Sequence, residues 1–287
     1  MVSSFFGLRA AFDQSRTLRE RHRAILYVAL FLGIALVYVA GMFALKYIAL
    51  HDAGNAGIYA VISQLVVLGF VVSYITLVMR MLKGGRTLRA QERIFHPSAF
   101  QSEMDQVNAP QREYKSRFYL ANVPLFHFRF GAPEQGDKPV VGWIAGGDRA
   151  YGLLFAWGGV AIAPVSVGII SVGLISVGAV GLGLLGLGTV GIGVISFGAS
   201  AIGYKAYASL SALGWDSALS AGFSIAQEAA LGPIAFAKHI NSEQAADIAN
   251  LALMNQSYLL ILAAIAIVVI VPAVWHSNKV RQRMRKK

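Results

Sequence analysis

Glycine, or alanine in its place, stands at 158, 163, 168, 173, 178, 183, 188, 193, 198 and 203, and only Ala163 departs from glycine. This spacing of five runs through "PVSVGIISVGLISVGAVGLGLLGLGTVGIGVISFG", from Pro164 to Gly198, and constrains the fold more than any other feature. It fits neither regular element. On a helix, five residues turn about 500°, so successive glycines fall roughly 140° apart around the cylinder. They form no small-residue contact seam, and each costs about 1 kcal/mol against alanine. On one straight strand, an odd period sends successive glycines to opposite faces. A coil that turns a corner in every block has neither difficulty. Its stacked turns satisfy one another's backbone groups, and small residues fit the bends.

After Gly158 the blocks read GVAIA, PVSVG, IISVG, LISVG, AVGLG, LLGLG, TVGIG, VISFG and ASAIG. The third place is always Ser, Gly or Ala. The second and fourth are branched or aromatic, Ser200 excepted. Gly142, Gly147 and Gly152 keep the spacing one residue out of phase, which starts the repeat near Val141 and predicts one insertion around Phe155–Trp157. In this pattern residues 142–208 resemble the pentapeptide-repeat β-solenoids, in which four five-residue sides make one square coil. The resemblance implies glycine in the small inward place and the Val, Ile or Leu two residues later in the central inward place. About thirteen repeats would then make roughly three coils, some ~15 Å tall at the spacing of paired strands. The family's usual A-(D/N)-L-x-x block is absent. The outward places hold Ile, Leu, Ala, Val, Ser and Gly, and no charged residue falls between Leu153 and Gly203. The soluble, acidic, DNA-mimicking roles of that family are therefore not expected, and none of its functional residues is carried over.

An uncharged solenoid exterior calls for lipid or another apolar surface. The composition agrees: 56% of the 287 residues are hydrophobic and 14% charged, against about 25% charged in a soluble domain. Residues 24–45 carry no charge and are long enough, as a helix, to cross a ~30 Å hydrocarbon core. Lys46 snorkels at their far end. "HDAGN", 51–55, turns the chain into a second helix at 56–80, giving a transmembrane hairpin over 24–82. Residues 256–275 read as a third transmembrane helix, followed to 287 by a basic tail, with Trp275 an interface anchor. The fold class expected is an integral membrane α+β protein, about three transmembrane helices plus a Gly-rich period-five β-solenoid. The alternative is an all-α polytopic protein with Gly-rich helices in 153–203. Around these lie a basic amphipathic segment at 1–23, a polar region at 83–141 with a strand at 123–131, and capping or interfacial helices at 209–255.

The net charge of +11 is clustered beside the apolar runs. Arg9, Arg16, Arg19, Arg21 and Arg23 precede the first. Arg80, Lys83, Arg86, Arg89 and Arg93 follow the second, and Lys279, Arg281, Arg283, Arg285, Lys286 and Lys287 follow the last. Such flanks face the cytoplasm and anionic headgroups rather than nucleic acid. The expected location is the cell membrane, multi-pass, with both termini cytoplasmic. An odd number of crossings is then needed between 94 and 255, from the solenoid or from 217–237.

Candidate functional residues are few. With no cysteine, disulfides, thiolate metal sites and thiol nucleophiles are excluded. In "VPLFHFRFG", Phe126, Phe128 and Phe130 alternate with His127 and Arg129, which are either a ligand pair or the solvated face of an edge strand. Asp148 and Arg149 mark one polar end of the solenoid, and Lys46 and Glu228 are ionisable residues close to apolar runs. The histidines stand singly, with no HExxH, GxSxG or cofactor fingerprint. No catalytic residue, metal or cofactor is assigned, and no enzyme class follows. The expected role is a structural or assembly scaffold whose apolar faces bind lipids, partner helices or a second copy. The alternative is a transporter or channel subunit.

Overall fold

The computed structural model describes residues 17–98, 113–130 and 137–249, with Trp275 and Asn278. The first sixteen residues of the basic N-terminal segment and the apolar run expected as a third helix, Trp275 apart, lie outside the described residues.

Helix α1 (Leu18–His51) starts where the Thr17 hydroxyl accepts the Glu20 amide, at 3.3 Å. A short turn at Ala53–Asn55 follows, in which the Asp52 carboxylate accepts from Asn55 and the Tyr59 hydroxyl, each at 3.0 Å. Helix α2 (Ala56–Phe95) runs back antiparallel to α1. It continues well beyond the expected end near 80, so the polar region expected from 83 begins as helix, through Phe95. Gly84 and Gly85 weaken this stretch but do not break it, and the next proline is Pro97. The basic ends of the pair lie together: Arg23 donates to the Gly84 carbonyl at 3.1 Å and Tyr27 to that of Arg80 at 3.4 Å. Both helices are long and apolar enough to cross a membrane.

The rest of the described chain is a β-solenoid of about eight turns. It opens with β1 (Glu113–Lys115), β2 (Tyr119–Leu120), β3 (Val123–Pro124) and β4 (Phe126–Arg129). It continues through the long β5 (Val140–Ile162) and β6 (Val165–Ser220), then β7 (Phe223–Ile225), β8 (Ala229–Leu231), β9 (Ile234–Phe236) and β10 (His239–Ile240). The all-α alternative is overturned, since 153–203 is strand except at Ala163–Pro164. Helices are not found over the first part of 209–255 either: strand continues to Ile240, and among the described residues of that segment only α3 (Glu243–Ile248) is helical. The chain there keeps the small-residue pattern, with Ala212 and Ala218 fully buried, so it goes on winding.

Register corrects the expected coil. Phe155 pairs with Val165 and Val160 with Ile170, all parallel, so one turn takes ten residues. Two five-residue blocks close a turn, and the coil is two-sided and flat, not square. At ~4.8 Å per turn, eight turns stand roughly 38 Å tall. The interior also differs from expectation. The third places, among them Ala161, Ser166, Ser171, Ser176, Ser196 and Ala201, are the buried ones, while the Val, Ile and Leu second places point outward. A Cβ on Gly191 would stand 2.5 Å from the Phe197 carbonyl oxygen on the facing wall. The two walls therefore nearly touch and leave no room between them for branched side chains. At the corners, a Cβ on Gly173, Gly188, Gly193 or Gly203 would meet the carbonyl oxygen ten residues earlier at 1.8 to 2.1 Å. This close approach is what the glycine period records. Gly158 packs against the Gly147 carbonyl instead, an eleven-residue step that accounts for the expected insertion.

Because large side chains cannot go inside, they pack outside. Second places on one side, Ile170, Val180 and Val190, are buried against the hairpin, in clusters with Tyr38, Val67, Phe70, Val78 and Leu82. First places on that side shrink after Ile169, which itself packs against the α2 cluster, to Ala179, Thr189 and Ala199. On the other side they are large, and Leu174, Leu184, Val194 and Tyr204 are about half exposed. The contacts along α2 run in order. Arg86 pairs with Asp148, Val78 packs on Ile170, Gln64 donates to Ser211 at 2.8 Å, and Gly57 faces the Phe236 ring. From Gly57 to Arg86 is about 43 Å of helix, close to the height of the solenoid, so α2 lies along its axis.

Candidate functional site

The two ends of the solenoid are polar, and the base holds a charged cleft. Strand β4 is not an edge. It pairs with β1 antiparallel on one side and with β5 parallel on the other. The expected strand at 123–131 is thus divided, its first part forming a small β2–β3 hairpin. Phe128 is fully buried among Tyr114, Phe126, Phe130 and Trp157, with ring centroids 5.0 to 6.1 Å apart. His127, on the opposite face, is buried as well. The reading of His127 and Arg129 as a solvated edge face is overturned, because β1 supplies them with a partner.

That partner is Glu113. Its Oε1 accepts from His127 Nε2 at 2.6 Å and its Oε2 from Arg129 at 3.0 Å, with Lys115 Nζ 3.3 Å away. The Val141 amide donates to His127 Nδ1 at 3.1 Å, so both ring nitrogens are engaged. Partial burial raises the Glu113 carboxyl, but the bonds from Arg129 and His127, with the Arg129 charge, outweigh it and hold the group at about 2. Beside this cluster is an open cleft of about 610 Å³, lined also by Tyr119, Asn122 and Lys138. Next to it, Arg86 pairs with Asp148 at 2.7 Å and Arg149 donates to the Asp137 carbonyl at 2.8 Å. Arg129, Asp148 and Arg149 line one shallow recess there.

The fold thus brings His127, Arg129, Asp148 and Arg149 to the base. Glu228 and Lys46 go to the other end, where Glu228 pairs with Lys238 at 2.6 Å and Lys46 lies half-buried near the end of α1. Those two do not meet the basal four. Glu113, Lys115 and Lys138 were not singled out from sequence. A signal for Glu113 existed: "EYK" matches "RFH" read backwards, anion against cation and ring against ring, as in the register Glu113↔Arg129, Tyr114↔Phe128. Chemically the cluster ties β1 across the first turn, with its carboxylate already bonded on both oxygens. No group of three or more metal-ligating side chains occurs among the described residues. No known family model, curated protein or solved structure matches the chain.

Proposed function

We propose that the protein is an integral membrane scaffold, held by its helical hairpin, with an apolar solenoid offered to lipid, partner helices or a second copy. The observation that carries this reading is the apolar exterior. Leu36, Val37, Leu65 and Leu68 on the hairpin, like Leu174 and Leu184 on the solenoid, are more than half exposed. Leu174 and Leu184 belong to the uncharged run from Leu153 to Gly203, which lies between the polar ends. Water disfavours such a surface by about 25 cal/mol per Å², and lipid does not. The basic ends of the hairpin face the cytoplasm under the positive-inside rule. On the same reading the apolar run at 256–275, which lies outside the described residues, is long enough to cross once more, and its basic flank would leave both termini cytoplasmic.

The alternative of a solute path is less well supported. Along the solenoid axis the walls meet through Gly181, Gly186 and Gly191 with backbone against backbone, which leaves no lumen. Glu228 and Lys238 neutralise each other at the far end. The expected behaviour is retention in the membrane fraction through a high-pH carbonate wash, release only by detergent, and no solute flux in proteoliposomes. Recovery of the full chain in the soluble fraction would sink the membrane reading. Ion or solute flux would replace the scaffold with a transporter.

A further inference from the structure

We infer that the β-solenoid itself crosses the bilayer, carrying the chain from the basic side to the opposite side, with its open face in contact with lipid acyl chains. This rests on the membrane reading above and adds a topology to it. A β-element in lipid must leave no backbone group unpaired, and it must have no open edge inside the hydrocarbon. Ladder pairing meets the first condition. Strand β6 runs unbroken through fifty-six residues, and at the bend before it the Ala163 amide donates to the Val172 carbonyl while the Pro164 carbonyl accepts from the Leu174 and Ile175 amides. Of the interior hydroxyls, Ser176 and Ser196 each donate to a carbonyl nine residues on, at 3.4 Å, whereas that of Ser166, low in the coil, is buried without a hydrogen-bond partner.

The second condition is met by where the edges lie. The only free edges of a solenoid are its first and last turns. The first is closed by β1, which reverses direction, and sits at the level of Arg86 and Asp148. At the far end, the Asn241 side chain bonds both backbone groups of Gly232, each at 2.9 Å, and α3 follows against the last turns. Both edges are therefore at polar levels.

The heights agree. Between Arg23 and Lys46, α1 has twenty-two uncharged residues, about 33 Å of helix. Between Asp52 and Arg80 there are twenty-seven, about 40 Å. Between Arg149 and Lys205 the solenoid has fifty-five, which at ten per turn is about 26 Å. All three bracket the ~30 Å core. Since α2 lies along the solenoid axis and is pinned to it from Asp148 to Phe236, a hairpin that crosses takes the solenoid with it. The count of crossings also closes. The sequence places three basic clusters on one side and an apolar run of membrane length at 256–275, outside the described residues; if that run crosses once, an odd number of crossings is needed between, and the solenoid supplies one. A square coil about 15 Å tall could not have done so; ten-residue turns double the height.

The absence of cysteine makes the test direct. Lys138→Cys, Lys238→Cys and Leu184→Cys are each made in the full chain and exposed to a membrane-impermeant maleimide in intact cells and after permeabilisation. All three positions are exposed, and none lies in the solenoid interior. The expected result is labelling of Lys238→Cys in intact cells and of Lys138→Cys only after permeabilisation. Leu184→Cys should stay unlabelled by this reagent from either side and, carrying a fluorophore, be quenched by brominated acyl chains. Labelling of Lys138→Cys and Lys238→Cys from the same side, in a protein still resisting the carbonate wash, overturns the crossing while leaving the membrane scaffold intact. Ready labelling of Leu184→Cys puts the open face in water and overturns the lipid contact. An oxidative crosslink between two copies through Leu184→Cys puts a second copy there and overturns it as well.

Discussion

Val190 and Val194 come from adjacent blocks of one repeat, yet Val190 is fully buried under the hairpin and Val194 stands about half exposed on the open side. The same five-residue pattern builds both walls of the coil, because the pattern encodes only the corner and the small inward residue. What surrounds each wall has a period of ten. The solenoid is thus an inverted body, with its small residues inside and its large apolar ones outside. Its stability depends on whatever covers those outer faces.

The largest effect should come from breaking what the two walls share. Gly191→Val places a branched side chain where even a Cβ stands 2.5 Å from two carbonyl oxygens. Loss of about 3 kcal/mol or more is expected, read as failure to recover a monodisperse species in detergent. The contrast between the walls is tested by two valines, one on each, at the second and the first place of their blocks. Val190→Ala removes buried methyl groups from the hairpin cluster and should cost about 2 kcal/mol. Val194→Ala should change stability by less than about 0.5 kcal/mol. Equal Tm shifts for the two in detergent would show that the hairpin does not brace one wall alone. Tyr38→Phe is next, since the Tyr38 hydroxyl bonds Ser200 across the hairpin–solenoid contact. Its loss should cost about 1 kcal/mol, and Tyr38→Phe combined with Ser200→Ala should cost less than the sum.

The smallest effect is at the base. Because folding lowers the Glu113 carboxyl from 4.5 to about 2, its contribution is complete above pH 4.5 and is lost as the pH falls towards 2. Glu113 is partly exposed, so screening limits this to under about 1 kcal/mol. Glu113→Gln should remove that part of the acid sensitivity and leave stability near neutral pH little changed. An unaltered acid profile in thermal unfolding would show that the cluster does not hold β1.

The corner glycines could be read from the sequence because contact of backbone with backbone admits no other residue. The number of sides could not, since a period of five does not say how many blocks close a turn. A trace of the answer was present in the first places: Leu174, Ala179, Leu184, Thr189, Val194, Ala199, Tyr204. Small residues alternate with large there, because helices approach one wall closely. The far turns were hidden because their steps lengthen to twelve residues, as in Ser211↔Phe223, and the spacing of five disappears. At the base, His127 and Arg129 stood out by alternation. Glu113 lies in a three-residue strand, too short to show a period of its own.

The ten-residue register has a consequence for how the chain assembles. Parallel sheets are ordinarily slow to form, since their partners lie far apart along the chain. Here each new turn needs only the one just wound, ten residues back. The wall it winds against is α1 and α2, which the ribosome delivers first. Assembly then proceeds like thread laid on a spool, base first and far end last, and no turn has to wait for a distant segment to arrive.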